Sequence, residues 1–486
     1  MLVPMRAILE TADQFNYAQG SFNVNAVAQA KAAIAVHEQF RSPAILQGAD
    51  LANAFMGGRT DFLNGTVEDK IKGAANIGAA VKRYGENSPI PVALHLDHGK
   101  NMESVKAAIA GGYTSVMIDG SSLSFEDNVE LTREVVKYAH PLGVTVEGEL
   151  GVLAGMEDHV FSSTSTYTNP LKAVEFFKKT KCDALAISYG TMHGANKGKD
   201  TKIRKEIAIA TKECMRHEGI SGFLVSHGSS TVPQYIVEEI NALGGDIRNA
   251  YGIALDQLVE VGHSGISKIN VDTDIRLAVT RNMRELFAAE PALQGSASIG
   301  PVYQLLEANK QAFDPRTFLP PLMDTVMYGD VPDVDVARIV DCIERGVKEV
   351  VGTLIVQFGS YGKAPWVEQV TLEQLSRERL VIYNQASPTR NLVLSMFRQQ
   401  DLQPDVAFEV ATDHMLASFV SQGLGVGIMP RMFGLRLYSV RPLYIADTET
   451  HRMLYMFRPK DRRVLPAVQR FWDFVLEVCA QYQSDE

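Results

Sequence analysis

Two histidines and an aspartate stand together at the end of an apolar segment, in the sequence HLDHG. The preceding residues, PVAL, are typical of a buried strand, where ionisable side chains are costly unless they are paired or bind a metal. Alternate side chains of a strand share a face, so His95 and Asp97 point the same way while His98 points away. A break at Gly99 would let Asp97 and His98 border one cleft, with His95 buried behind them.

Two more histidines occupy similar positions, His193 in GTMHGANKG and His227 in SHGSS. Each follows an apolar segment and is followed directly by glycine. One such histidine alone is more often a buried structural residue than a metal ligand. Three neutral imidazoles from three strand ends are typical of a catalytic zinc site, which keeps one position open for substrate. We therefore predict a zinc site formed by His98, His193 and His227.

Small residues and a lysine accompany these histidines and favour an anion site. Glycine lets backbone amides approach a phosphate closely, and hydroxyl groups or an ammonium group add hydrogen bonds and charge. The sequences HGANKG, HGSS and NVDTD supply all three kinds of group. The candidate phosphate-binding residues are Gly194, Lys197, Gly228, Ser230, Asp272 and Thr273.

The elements that must position these residues follow a regular alternation. Between eight apolar segments lie stretches with helical spacing, which predicts right-handed βαβ units and a parallel sheet. The predicted strands are 20–25, 42–49, 91–99, 114–121, 144–151, 184–190, 223–230 and 267–274. Eight such units in about 275 residues indicate a (β/α)8 TIM barrel, whose active site lies where the carboxyl ends of the strands meet.

Polar residues end nearly every predicted strand, which is difficult to explain by packing alone. The polar and ionisable residues at these strand ends are Asn23, Asp97 with His98, Asp119, Glu149, His193, His227, and Asn270 with Asp272. From about residue 280 to 375 the pattern is helical and predicts an extension of the barrel. We place one domain at 1–376 and a smaller α/β domain at 377–486, with a final strand MLYMFRPK and a terminal helix LPAVQRFWDFVLEVCAQ.

Composition limits the function classes. The net charge is −10, which argues against a mainly electrostatic grip on nucleic acid or on an anionic membrane surface. Four widely spaced cysteines lack CxxC pairs and predict a reducing, cytoplasmic setting. The N-terminal residues predict a short amphipathic helix and not a signal peptide, and no apolar run is long enough to span a membrane.

Seven motifs in fixed order identify a resemblance over about residues 1–375. GSFNVN, HLDHG, TSVMIDGS, VEGELG, GTMHGANKG, SHGSS and KINVDTD resemble those of the class II, zinc-dependent fructose-1,6-bisphosphate aldolases. The sequence FDPRTFLPP at 313–321 is similar to that family as well. The resemblance implies reversible aldol cleavage of fructose 1,6-bisphosphate to dihydroxyacetone phosphate and glyceraldehyde 3-phosphate, in glycolysis, gluconeogenesis or the Calvin cycle.

The resemblance also implies roles for individual residues. His98, His193 and His227 match the zinc ligands, and Asp97 matches the group that moves a proton at the aldehyde-derived hydroxyl. Glu157, in AGMEDH, matches a mobile-loop acid/base at the dihydroxyacetone phosphate carbon, and Asn270 matches the residue that orients the enediolate. The residues that match substrate and phosphate contacts are Asn23, Gly194, Lys197, Gly228, Ser230, Asp272 and Thr273. Asp119 and Glu149 match positions that shape the metal surroundings or hold a second divalent or monovalent cation.

The last part of the chain resembles the effector-binding region of LysR-type transcription regulators. SPTRNLVLSMF and FEVATDHMLASFVSQGLGVGIMPR are similar to the later half of that two-lobed, periplasmic-binding-protein-like module. The helix-turn-helix is absent, so we expect no DNA partner. The expected partners are a sugar bisphosphate substrate and further copies of the chain, in a dimer or tetramer.

Two alternative functions remain open at this level. A tagatose-1,6-bisphosphate aldolase would differ only in the configuration of one substrate carbon. The departures from the family pattern at Ala49 and Asn196 bear on which sugar is preferred. The other alternative is a metabolite-binding regulatory or interaction fusion with weakened catalysis, which the retention of His98, Asp97 and Glu157 argues against.

Overall fold

The structure is a computed structural model that describes residues 2–152, 154–157, 160–162, 166–199, 201–367, 369–430, 438, 440, 443–445 and 470. For 154–157, 160–162, His193, Gln369 and Tyr444 it describes the backbone alone. Contacts between Cα atoms divide the chain into two compact units, Met1–Ala364 and Pro365–Glu486. The domain boundary between residues 376 and 377, which was inferred from the sequence, stays a prediction.

Eight parallel strands of the first unit close into a barrel. The strands of this unit are β1 Gln19–Asn23, β2 Ala44–Ala49, β3 Val92–Gly99, β4 Ser115–Ile118, β5 Thr145–Leu150, β6 Ala154–Glu157, β7 Val160–Ser162, β8 Ala184–Ile187, β9 Met192–His193, β10 Phe223–Ser226 and β11 Ile266–Val271. The barrel order is β1-β11-β10-β8-β5-β4-β3-β2. Each barrel strand falls on one of the eight predicted segments, so the predicted TIM barrel is confirmed.

Helices follow the strands and cover the outside of the barrel. Those of the first unit are α1 Met5–Phe15, α2 Val27–Phe40, α3 Asp50–Met56, α4 Val67–Gly85, α5 Met102–Ala110, α6 Phe125–Ala139, α7 Pro170–Thr180, α8 Lys205–His217, α9 Gln234–Ala242, α10 Leu255–Gly262, α11 Thr273–Ala289, α12 Gly300–Ala308, α13 Met323–Tyr328 and α14 Val334–Phe358. The predicted N-terminal helix is confirmed as α1. The long α14 packs on α2 and α11, so the helical extension completes the outer layer.

The remaining strands of this unit form a small sheet in the order β7-β6-β9. It joins the segment after β5 to the segment after β8, with Gly155 opposite His193 in the parallel register. Glu157 ends β6 opposite Val160. Backbone pairing therefore links the two segments that carry the predicted loop acid and the third predicted metal ligand.

Close packing of α4 depends on glycine. A Cβ built on Gly78 would lie 1.7 Å from the backbone oxygen of Gly111, at the end of α5. We expect Gly78→Ala to lower the free energy of unfolding by about 1–3 kcal/mol, because the two helices must move apart. Alanine at an uncrowded helix position instead stabilises by roughly 0.5–1 kcal/mol. Urea unfolding followed by circular dichroism measures the difference.

Gly85, in the same helix, provides the matched control. A Cβ at that position would meet the nearest side-chain atoms at 3.5 Å, which is ordinary contact. Gly85→Ala is therefore expected to leave the unfolding midpoint unchanged or to raise it. Equal stability of Gly78→Ala and the unmodified protein would contradict the packing argument.

The second unit contains a small parallel α/β sheet. Its described elements are β12 Gln369–Val370, α15 Leu372–Ser376, β13 Arg379–Tyr383, α16 Pro388–Gln399, β14 Asp405–Val410, α17 Asp413–Ser421, β15 Val426–Gly427 and β16 Tyr444–Ile445. The sheet order β14-β13-β15 places β13 in the centre. A buried cluster that includes Leu380, Ile382 and Phe397 forms its core. The predicted final strand and terminal helix lie outside the described residues, apart from Arg470.

Among the helices that the structure describes, none combines the length and the apolar character that a membrane span requires.

Candidate active site

A bulge at the end of β3 turns two adjacent side chains toward the barrel mouth. The pairing of β3 with β4 shifts register between Leu96 and Gly99. Within this bulge His98 adopts φ +48°, a left-handed conformation that is uncommon for a residue with a side chain. Asp97 and His98 consequently both line the same cleft. The predicted break of the strand is confirmed, with His98 itself supplying the unusual backbone angle.

Two amides hold the Asp97 carboxylate. Asn270 Nδ2 donates to Asp97 Oδ1 and Gln47 Nε2 donates to Asp97 Oδ2, each at 3.0 Å. Gln47 Nε2 also donates to Asn23 Oδ1 at 2.6 Å. These four side chains come from β1, β2, β3 and β11, which are neighbours in the barrel. The carboxylate is therefore fixed in orientation at the wall of the cleft.

His98 and His227 approach each other across the barrel mouth. Nδ1 of His227 lies 3.1 Å from Nε2 of His98, and the two rings meet edge to face at a centroid distance of 4.7 Å. Asp97 Oδ1 lies 3.9 Å from His98 Nε2. Ligand atoms of Asp97, His98 and His227 all lie within 4.8 Å of one another. The structure therefore brings two of the three predicted metal ligands together.

Two carboxylates flank the other side of the His98 ring. Asp119 Oδ2 lies 3.4 Å from His98 Nδ1 and accepts a hydrogen bond from Lys100 Nζ at 2.6 Å. Glu149 Oε2 lies 3.9 Å from His98 Nδ1 and 3.5 Å from His227 Nδ1. His98, Asp119 and Glu149 form a second group whose ligand atoms lie within 4.8 Å. Both residues predicted for a second ion thus stand beside the first site.

Crowded carboxylates perturb the ionisation of this cluster. Burial by itself lowers the pKa of a histidine, but Asp97, Asp119 and Glu149 outweigh burial and raise the pKa of His98 to about 10. Burial and the neighbouring Asp119 carboxylate raise the pKa of Glu149 well above its usual range. Burial also favours the neutral form of Asp119, but His98 and Lys100 hold the pKa of that carboxyl below its usual range. The pKa values of both His98 and Glu149 are raised because neighbouring carboxylates make this part of the site favourable for a positive charge, either a proton or a metal cation.

These residues fit a divalent metal ion. Oε2 of Glu149 is buried without a hydrogen-bond partner and faces ring nitrogens of His98 and His227. An unpaired buried carboxylate oxygen is costly, whereas imidazole nitrogens and carboxylate oxygens are the donors that zinc prefers. His98, His227 and the adjacent carboxylates would therefore hold such an ion. The side chains of His193 and Glu157 lie outside the described part of the chain.

The remaining wall of the cleft is the predicted phosphate site. The residues that line the cleft are Asn23, Asp97, His98, Gly194, Lys197, His227, Gly228, Ser229, Ser230, Asn270, Asp272 and Thr273. Gly194 and Gly228 have φ values of +80° and +60°, which glycine adopts without strain. Helix α11 begins at Thr273, so its positive N-terminal end meets the cleft. All seven predicted substrate and phosphate contacts thus line one cleft.

Lys197 supplies the cationic side chain of this wall. It is almost fully buried, and its Nζ donates to the backbone oxygen of Gly194 at 2.7 Å. Asp272, which directly precedes α11, forms an ion pair with Arg276 of that helix. Arg276 Nη1 also lies 3.1 Å from Asp314 Oδ2. The sequence FDPRTFLPP therefore connects to the site, because its aspartate contacts the arginine that holds Asp272.

A layer of buried polar side chains lies directly beneath the site. Glu147 accepts hydrogen bonds from His227 Nε2 at 2.8 Å and from Lys268 Nζ at 3.0 Å. His95, as predicted, is buried behind Asp97, and its Nε2 lies 3.5 Å from Glu147 Oε2. Gln47, Glu147 and Lys268 were not among the residues predicted from the sequence. The sequence did contain a signal for two of them, because Glu147 stands two residues before Glu149 and Lys268 two residues before Asn270 on the same strand.

Comparisons with known proteins agree with this architecture. Residues 3–363 match the family model described as fructose-bisphosphate aldolase class-II, and residues 363–480 match the LysR substrate binding domain. A fructose-bisphosphate aldolase of Xanthobacter flavus is 34% identical over 77% of this chain and 96% of its own length. That of Thermus caldophilus is 36% identical over 75% of this chain and 100% of its own length.

Solved structures show a similar fold. The crystal structure of the YdjI aldolase from Escherichia coli K12 superimposes with a TM-score of 0.51 at 25% identity, covering 75% of this chain and 100% of its own. A fructose-bisphosphate aldolase from Campylobacter jejuni, at 18% identity and a TM-score of 0.52, shares the fold.

Proposed function

The chain belongs to the class II fructose-bisphosphate aldolase family, and on that premise we propose that it cleaves fructose 1,6-bisphosphate reversibly with the help of zinc. The products are dihydroxyacetone phosphate and glyceraldehyde 3-phosphate. The observation that carries the proposal is the meeting of Asp97, His98 and His227 at the wall of a cleft that the predicted phosphate-binding residues line.

The residues of the cleft would divide the reaction between them. Asp97 takes the proton of the substrate hydroxyl at C4 while the bond between C3 and C4 breaks, and the electron pair passes toward the C2 carbonyl. Asn270 holds Asp97 and faces the cleft, so it orients both the carboxylate and the three-carbon fragment. Glu157 returns a proton to C3. Lys197, Ser230 and Thr273 bind the phosphate that anchors this fragment.

His98 and His227, with His193 as the third ligand, would hold the zinc ion. When bound, zinc supplies Lewis acidity at the substrate carbonyl, which an aldolase without a lysine imine requires. Asp119 and Glu149 would stabilise the charge of the site or hold a second divalent or monovalent cation. The free thiols of Cys182, Cys214 and Cys342 support our expectation of a cytoplasmic enzyme. A homo-oligomer remains a prediction.

Metal removal tests the proposal directly. We expect the purified full chain to cleave fructose 1,6-bisphosphate, to lose at least about 99% of that activity after dialysis against a chelator, and to recover it with added zinc. The same chelator saturated with zinc beforehand serves as the control. Cleavage that persists after metal analysis shows complete removal would overturn the zinc-dependent mechanism.

The same assay discriminates between the alternatives. Tagatose 1,6-bisphosphate differs from the fructose compound at C4, the carbon whose hydroxyl faces Asp97 in this scheme. A higher kcat/KM for tagatose bisphosphate would make the protein a tagatose-bisphosphate aldolase with the same mechanism. Absence of cleavage of either sugar by zinc-loaded protein would instead favour the metabolite-binding fusion.

A further inference from the structure

The barrel interior contains a buried ion pair that takes no part in the scheme above. Lys268 and Glu147 are both fully buried, and Lys268 Nζ donates to Glu147 Oε2 at 3.0 Å. Replacing a buried ion pair by apolar residues of similar size is often neutral or stabilising, so folding alone does not explain it. The position of the pair, directly below His227, suggests a role in the site.

The second oxygen of Glu147 contacts His227. Glu147 Oε1 lies 2.8 Å from His227 Nε2, and both side chains are buried. The positive charge of Lys268, 3.0 Å from Oε2, favours the ionised form of Glu147. A carboxylate only accepts hydrogen bonds and has no proton to donate to the imidazole. The hydrogen bond between them must therefore run from His227 Nε2–H to Glu147.

This contact determines which nitrogen of His227 faces the site. With its proton on Nε2, neutral imidazole carries a lone pair on Nδ1. His227 Nδ1 is the atom that lies 3.1 Å from His98 Nε2 and 3.5 Å from Glu149 Oε2. The free lone pair thus points to the place where the other ligand atoms gather.

We propose that Glu147 and Lys268 are positioning residues, which hold His227 in the Nε2-protonated tautomer and so present Nδ1 to the metal. The inference rests on the proposed function, because it presupposes a metal at His98 and His227. A carboxylate behind a ligand imidazole also makes that ligand more basic, and loss of such a partner typically weakens metal affinity about 10- to 100-fold.

The test is the double variant Glu147→Gln/Lys268→Met in the full chain. It removes both charges together and preserves side-chain volume, so no buried charge is left alone. The glutamine amide either accepts from or donates to His227 Nε2, and the tautomer is no longer imposed. We expect unchanged circular dichroism, a zinc affinity lowered about 10- to 100-fold in competition with a chromophoric chelator, and an altered visible spectrum of the cobalt-substituted protein.

A second ion pair supplies the matched control. Lys31 Nζ and Glu344 Oε1 lie 2.7 Å apart on α2 and α14, outside the site. We expect Glu344→Gln/Lys31→Met to bind zinc as the unmodified protein does. If Glu147→Gln/Lys268→Met does not fold, Glu147→Asp is the second variant. It keeps the negative charge, but its shorter side chain moves the carboxylate away from His227 Nε2, and it is expected to lower the zinc affinity as well.

The outcomes separate this inference from the function it rests on. Zinc affinity and a cobalt spectrum equal to those of the unmodified protein, in a folded variant, would overturn the positioning role and leave the aldolase proposal standing. An unmodified protein that binds no zinc would overturn both. A variant that loses thermal stability but retains full zinc affinity would show that the pair serves folding alone.

Discussion

His98→Ala is expected to abolish zinc binding and to lower the cleavage rate at least about 1,000-fold. The imidazole of His98 stands between both groups of candidate ligands, with Nε2 near Asp97 and His227 and Nδ1 near Asp119 and Glu149. Alanine removes the nitrogen donor that the two groups share. Metal analysis of the dialysed protein and the cleavage assay measure the two effects.

His217 provides the matched histidine control. It lies at the end of α8, and its side chain is 83% exposed. His217→Ala is expected to retain about one zinc per chain and the full cleavage rate. Normal zinc content in His98→Ala would show that His98 is not a ligand and would remove the basis of the proposed site.

Asp97→Asn is expected to lower kcat by about 100- to 10,000-fold while zinc content stays at that of the unmodified protein. Asparagine has nearly the same shape and still accepts a hydrogen bond from one of its two neighbours, Gln47 or Asn270. It has no carboxylate to take the C4 hydroxyl proton. Steady-state kinetics and metal analysis of the same preparation separate proton transfer from metal binding.

The exposed Asp330, which does not line the cleft, offers the corresponding control, since Asp330→Asn removes an equal charge. We expect its kcat and zinc content to be unchanged. If Asp97→Asn lost zinc as His98→Ala does, Asp97 would be a ligand and not the proton acceptor. An unchanged kcat would exclude Asp97 from the reaction.

The second unit was predictable to a more limited extent. Its strands at 379–383 and 405–410 and the helices that follow them agree with the periodicity of the sequence. The likeness to the LysR substrate-binding region is confirmed by the match over residues 363–480. Short strands such as Val426–Gly427 depend on pairing with the central strand, here β13, and not on their own composition.

The barrel and the rim of its site were determined by the sequence alone. Apolar segments of four to eight residues, helical spacing between them and polar residues at their carboxyl ends are local patterns. In a parallel barrel all these ends meet at one face, whatever the details of packing. Asp97, His98, His227 and the predicted phosphate-binding residues could therefore be named before any contact was known.

Only the tertiary structure decided how these residues are held. The alternation of a strand places Glu147 below Glu149 and Lys268 below Asn270, but it does not reveal their partners. Glu147 meets His227 and Lys268 from 80 and 121 residues away, through strand order and register. The left-handed backbone of His98 likewise depends on a register shift between β3 and β4. Such contacts arise from closure of the barrel. The local pattern determines only which face of a strand a side chain lies on, whereas closure determines which residues of other strands it contacts.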